Sequence, residues 1–253
     1  MFGIDLSGKR ALVTGGSRGV GRATALLLAR AGADVAITYH TRSAEAEAVV
    51  TELGEMGVRA FAHGGDHADR AVVDALFERV AARLGGLDIF VGNAGIWPPD
   101  AVPIADMSDE QWRNTMAVNL DALFHTTRAA ARTTADGGRI VLVSSTAGQR
   151  GEAGHADYAA TKGALISLVK SVAIELAARD ITVNAVAPGW IDTEMVAGAL
   201  AAAGRAHIDA GIPLGRVASA DDVAGPILFL CSPLARHVTG EVVNVNGGSV
   251  LCG

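Results

Sequence analysis

Short apolar runs that do not alternate, separated by longer stretches of helical period, decide what this chain can fold into. Ala11-Leu12-Val13 and Ile140-Val141-Leu142-Val143 present no polar face, so strands made of them must be covered on both sides. Such strands are expected at residues 10–14, 34–39, 59–62, 87–92, 139–144, 182–187 and 241–245. Helices are expected between them at 19–31, 43–56, 68–84, 109–134, 157–178 and 220–232. Strand and helix alternating in this way imply right-handed crossovers, hence an α/β chain with a doubly wound parallel sheet and helices on both faces. No Pro/Gly/Ser linker or composition break divides the chain, so one domain over residues 1–253 is expected. The longest irregular segment runs from 188 to 217, with a short helix expected at 194–203. A loop of that length in a compact domain is usually functional, and a substrate lid at about 189–212 is the expectation.

Composition excludes several classes. Half of the residues are hydrophobic but only 4% are aromatic, so Ala, Val, Leu and Gly must build the core. A net charge of −6 argues against nucleic acid as a partner, since phosphate backbones select basic faces. No apolar run is long enough to cross a membrane, and Met1 to Leu6 do not read as a signal peptide. Cys231 and Cys252 lack metal-like spacing and are expected as free thiols in a reducing cytoplasm. The seven scattered histidines include no HExxH, so no metal site is expected.

The first strand runs into Thr14-Gly15-Gly16-Ser17-Arg18-Gly19-Val20-Gly21, and a helix follows directly. Glycines there let the backbone approach a pyrophosphate, which the helix N-terminus would bind through its N–H groups and dipole. An NAD-specific site would carry an acid at the end of the second strand, about 20 residues on. This chain reads Ile37-Thr38-Tyr39-His40-Thr41-Arg42 instead, with no acid between Asp34 and Glu45. Arg18 and Arg42 are suited to clamp a 2′-phosphate by charge-assisted hydrogen bonds. NADPH/NADP+ is therefore the expected cofactor, ahead of NADH.

Tyr158 and Lys162 stand four apart, on one face of a helix. The chain has two tyrosines and three lysines against eighteen arginines, so chance would give this spacing only about 0.02 times. An ammonium is a compact charge on a flexible stem, able to favour the phenolate of a neighbouring tyrosine.

With the glycine loop, Asn93-Ala94-Gly95, Ser145, Tyr158, Lys162 and Pro188-Gly189 in this order, the chain resembles the short-chain dehydrogenase/reductase family over residues 8–248. The resemblance is to the compact branch of about 250 residues, and most of all to 3-oxoacyl-acyl-carrier-protein reductases and related ketoreductases. It implies a single-domain, seven-stranded Rossmann sheet, a nicotinamide cofactor and a tetrad of Asn119, Ser145, Tyr158 and Lys162. By the same resemblance Ser145, thirteen residues before Tyr158, would hold a substrate carbonyl while Tyr158 protonates it. Lys162 would bind the nicotinamide ribose and, with the cationic oxidised ring, depress the tyrosine pKa, and Asn119 would anchor a water leading to solvent.

The implied cofactor set comprises Gly15, Ser17, Arg18, Gly19, Val20 and Gly21 in the glycine loop, then Tyr39, His40 and Arg42 after the second strand. Asp66 and His67 would meet the adenine. Asn93, Ala94 and Gly95 would line the adenosine side, although Gly92 stands where relatives usually carry a second Asn. Pro188, Gly189, Ile191 and Thr193 would close over the nicotinamide. The substrate wall is expected from Trp97, Gln149, Arg150 and Trp190, around a small-molecule ketone or an acyl thioester, with an acyl-carrier protein as a candidate donor. A free cyclic or aromatic ketone is the alternative, and a non-catalytic NADP(H)-binding sensor is the different class. The spacing of Tyr158 and Lys162 argues against enoyl reductases of related fold, which place the two further apart. The resemblance further implies a homotetramer paired through the helices at 109–134 and 157–178, with Val250-Leu251-Cys252 reaching a neighbour.

Overall fold

The computed structural model describes residues 3–251; Met1 and Cys252, on which two expectations partly fall, lie outside them. Strands and helices alternate from the start: β1 (Arg10–Val13), α1 (Gly19–Arg30), β2 (Asp34–Tyr39), α2 (Ser43–Glu55), β3 (Ala60–Gly64), α3 (Arg70–Leu84) and β4 (Leu87–Gly92). The second half carries α4 (Asp109–Met116), α5 (Ala122–Thr133), β5 (Thr134–Val143), α6 (Thr146–Arg150), α7 (Ala156–Leu176) and β6 (Thr182–Pro188). It ends with α8 (Ala197–Ala203), α9 (Arg205–Ala210), α10 (Ala220–Cys231) and β7 (Val242–Val245). All seven strands are parallel, in the order β3-β2-β1-β4-β5-β6-β7. The winding direction reverses between β1 and β4, and a crevice opens at their carboxyl ends.

The non-alternating runs supply both faces of the sheet. Val13, Val35 and Ile37 join Leu28, Val49 and Ile227 in one cluster. Their chain neighbours Leu12 and Ala36 join Phe90, Leu142, Leu76, Leu123 and Leu165 in the other. Successive side chains of a strand point to opposite faces, so an apolar run is what two helical layers require.

The β1–β4 pair is pinned at both ends. At its start the Arg10 backbone N–H and Nε donate to Asp88 Oδ2 at 2.9 and 2.6 Å. At its finish Thr14 Oγ1 accepts from the backbone N–H of Asn93 and of Ala94, both at 3.0 Å.

Three departures from the sequence reading have local causes. The helix expected at 109–134 is broken by a π-helical turn at Ala117–Asp121, where the backbone takes in an extra residue per turn. Strand β5 begins at Thr134 because Leu87 pairs with Thr134 while Ile89 pairs with Arg139, leaving residues 135–138 as a bulge. The lid holds two short helices, α8 and α9, around a small cluster of Leu200, Ile208, Ile212 and Val217. Among the described residues no helix is long and apolar enough to cross a membrane.

Leu165 is fully buried where α7 meets the sheet. Leu165→Ala is expected to cost about 2–5 kcal/mol, read as a lowered midpoint of urea unfolding at unchanged slope.

Candidate active site

A cleft of about 400 Å³ follows the carboxyl ends of the strands. Its middle is built by the glycine loop. Gly15 has φ +66, open to glycine at little cost. A Cβ on Gly21 would collide with the Gly15 carbonyl oxygen and the Asn93 amide. The Asn93 amide donates to Thr14 O at 2.9 Å and Gly15 O at 3.3 Å, fixing this loop to the one after β4. Arg18 precedes α1 without a side-chain cap, so the first-turn N–H groups stay free for an anion. Ser17, Gly19 and Val20 line the same stretch. A glycine cradle against an uncapped helix start fits a dinucleotide pyrophosphate.

One end of the cleft is lined by Tyr39, His40, Arg42, Asp66 and His67. Asp66 Oδ1 accepts the Ala68 N–H at 2.9 Å. His67 is buried with Nε2 unpartnered, and burial pushes its pKa down to about 4. Arg18 and Arg42 both reach Glu194.

The other end gathers the reactive groups. Gly148 in α6 and Gly163 in α7 let these helices touch through backbone: a Cβ on Gly148 would fall 2.6 Å from the Lys162 carbonyl oxygen. Ser144 Oγ donates to that carbonyl at 2.8 Å and is thereby structural. Ser145 Oγ caps α6 by accepting from Ala147 N–H at 3.1 Å and is near enough to Tyr158 to favour its charged form. Tyr158 is pushed up to about 12, mainly by burial, which outweighs the opposing influence of nearby Ser145, and further by the charge of Glu152. Lys162 is buried and donates to Val143 O at 2.9 Å; burial pushes it down to about 8. Its Nζ lies 5.7 Å from the Tyr158 ring centre. In the protein alone burial governs the tyrosine.

Asn119 sits in the π-helical turn, buried behind the cleft wall. Its Oδ1 accepts the Ile96 N–H at 2.7 Å and its Nδ2 donates to Ile96 O at 2.9 Å. The same Nδ2 lies 3.5 Å from Thr161 Oγ1, so the side chain ties this turn to both the Ile96 backbone and α7. Gly95 makes room for the arrangement: a Cβ there would stand 3.0 Å from Asn119 Oδ1 and 3.5 Å from Lys162 Nζ.

Ala94, Pro188, Gly189, Ile191 and Thr193, expected to contact the cofactor, line the cleft, as do Trp97, Arg150 and Trp190, expected on the substrate wall. Gln149, expected on that wall, instead donates to Asn244 Oδ1 at 2.7 Å and is not among the lining residues. Trp97 stacks on His155 with ring centres 4.4 Å apart and meets Trp190 edge-on at 6.3 Å. Its Nε1 donates to Glu152 at 3.1 Å. Sequence reasoning missed Asp157, a fully buried carboxylate that accepts from Thr115 Oγ1 at 2.8 Å, Gln111 Nε2 at 3.2 Å and Tyr158 N–H at 2.8 Å. Its place in the first turn of α7 was the available signal. Among the described residues no group of three or more His, Cys, Asp or Glu could hold a metal ion.

Known proteins resemble this chain in sequence and fold. A family model described as enoyl-(acyl carrier protein) reductase matches residues 15–249. The 3-oxoacyl-[acyl-carrier-protein] reductase FabG of Staphylococcus aureus is 40% identical over 242 residues, covering 95% of this chain and 97% of that protein. A short-chain dehydrogenase from Burkholderia cenocepacia, solved in complex with NADP, superposes with a TM-score of 0.90 at 42% identity, covering 96% of this chain and 98% of that one. A blue fluorescent protein from a metagenomic library, solved with NADPH, gives 0.91 at 39% identity over 98% of this chain and 100% of that one.

Burial of Lys162 has a consequence for stability. Unfolded, the lysine holds its proton to about 10.5, and folded only to about 8, so between these values the unfolded state binds more protons and stability rises with pH. Below about 8 the penalty is complete. Lys162→Met is expected to stabilise the protein at pH 7, with an advantage that shrinks at pH 9.5, in urea unfolding at both values. Equal gains at the two pH values would contradict this.

Proposed function

The chain belongs to the short-chain dehydrogenase/reductase family of oxidoreductases, and on that premise we propose that it uses NADPH to reduce the ketone of a 3-oxoacyl thioester or similar β-keto substrate to a secondary alcohol. The observation that carries the reading is the meeting of Ser145, Tyr158 and Lys162 at one end of the cleft, with the glycine cradle in its middle. The cofactor, when bound, supplies the hydride.

The residues of the chain do the rest. The glycine loop and the start of α1 bind the pyrophosphate, while Arg18 and Arg42 bind the 2′-phosphate. Lys162 spends one proton on Val143 O and has two further N–H donors for ribose hydroxyls. Ser145 and Tyr158 orient the carbonyl oxygen, and the Tyr158 hydroxyl protonates it as it becomes an alkoxide. A phenol pushed up to about 12 holds its proton at neutral pH, as a general acid in the reductive direction must. The tyrosinate left behind is stabilised by Ser145 and by the charge of Lys162. Asn119 acts as a positioning residue, holding the Ile96 backbone beside Lys162. Trp97 and Trp190 shield the reacting atoms from water.

The names borne by relatives at 40% identity favour a carbonyl over a carbon–carbon double bond, as does the spacing of Tyr158 and Lys162. A free cyclic or aromatic ketone is the second reading, favoured by the two indoles meeting across the substrate end. Assembly as a homotetramer in the cytoplasm belongs to the same proposal. Trp112 on α4, Phe124 on α5 and Ile174 on α7 are exposed and offer apolar surface for pairing.

NADPH oxidation is to be followed with acetoacetyl thioesters, free β-ketoesters, cyclic ketones and quinones. The expected result is fastest turnover of a thioester, with a loss of at least about 10²-fold in Tyr158→Phe while NADPH still binds. Turnover surviving in Tyr158→Phe sinks the mechanism, and a cyclic ketone outpacing the thioesters transfers the assignment to the second reading.

A further inference from the structure

Arg18 and Arg42 come from different loops, one at the start of α1 and one before α2, yet they converge on a single oxygen. Glu194 Oε2 lies 2.9 Å from Arg18 Nη1 and 3.2 Å from Arg42 Nη2. The remaining arm of Arg42 holds Glu45 at 3.1 Å. Glu194 belongs to the lid, one residue after Thr193, whose methyl lies 3.5 Å from where a Cβ on Gly19 would stand. The first residues of the lid thus rest on the glycine loop, and their carboxylate lies between the two guanidinium groups. Two guanidinium groups sharing one acceptor are arranged as a phosphate would have them.

Resting on the NADPH reading, we infer that Glu194 sets how tightly the arginine pair takes a 2′-phosphate: it occupies the pair as an internal anion that competes with the phosphate until displaced. A phosphate brings more charge and three acceptor oxygens, so it can serve both arginines at once and release the carboxylate. A bare ribose hydroxyl carries no charge and leaves Glu194 in place. The latch is built to yield: Arg18, Arg42 and Glu194 side chains are 41%, 40% and 60% exposed, and exposed ion pairs are individually weak.

The test is calorimetric titration of the full chain with 2′,5′-ADP and with 5′-AMP, in the wild type, Glu194→Gln, Arg42→Ala and the double variant. Glu194→Gln is expected to tighten 2′,5′-ADP by about threefold to tenfold and to leave 5′-AMP unchanged. In the Arg42→Ala background the gain is expected to shrink, because one of the two pairs is already gone. A wild-type preference for 2′,5′-ADP that Glu194→Gln leaves unaltered, or an equal change for both nucleotides, overturns the inference alone. No preference in either protein overturns the NADPH reading beneath it.

Discussion

Everything in this molecule is referred to one pair of neighbouring strands, β1 and β4, where the winding of the sheet reverses. Arg10 and Asp88 lock the pair at one end, and Thr14 with Asn93 and Ala94 locks it at the other. The second lock is made of loop atoms, so it also fixes the glycine turn against the loop that carries Ala94 and Gly95. Through Ile96 the register continues to Asn119, and from there to Thr161 beside Lys162. The glycine loop and the Tyr158–Lys162 end of the cleft are therefore held in a common frame.

Within that frame the chain tolerates two expensive features. Lys162 is buried with a single protein acceptor, and Tyr158 carries a phenol far from its ordinary value. Each opposes the charged form on its own, and each would be relieved by a partner placed between them. Desolvation of this kind is typical of sites whose pKa values are set for a reaction rather than for stability. The buried Asp157 belongs to the same economy: its oxygens are taken up by α4 and by the Tyr158 backbone, which fixes the first turn of α7.

Much of the fold was legible because burial on both faces leaves an unmistakable trace in sequence. Ile140-Val141-Leu142-Val143 has no reading as a half-exposed strand, and all seven strands fall within a few residues of expectation, apart from the early start of β5. What escaped was local. The π-helical turn inserts a residue without changing composition, so the window 109–134 read as one helix. Helix α6 has five residues, too few to show a period. Gln149 and Asp157 have partners distant in sequence, Asn244 in one case and Thr115 in the other, and no spacing rule finds such pairs. The site was legible where backbone and chemistry coincide, at glycines and at the Tyr158–Lys162 step. It was opaque where side chains choose among equivalent neighbours, as Glu194 does between two arginines.

The contact of α6 with α7 through Gly148 and Gly163 separates two properties that other folds tie together. The distance from Ser145 to Tyr158 is set by main-chain atoms, so it does not depend on how large or how oily the surrounding side chains are. Trp97, Arg150 and Trp190 stand outside that contact. Such a layout is modular: the side chains of the walls can be exchanged while the interval between the two hydroxyls stays as the main chain sets it.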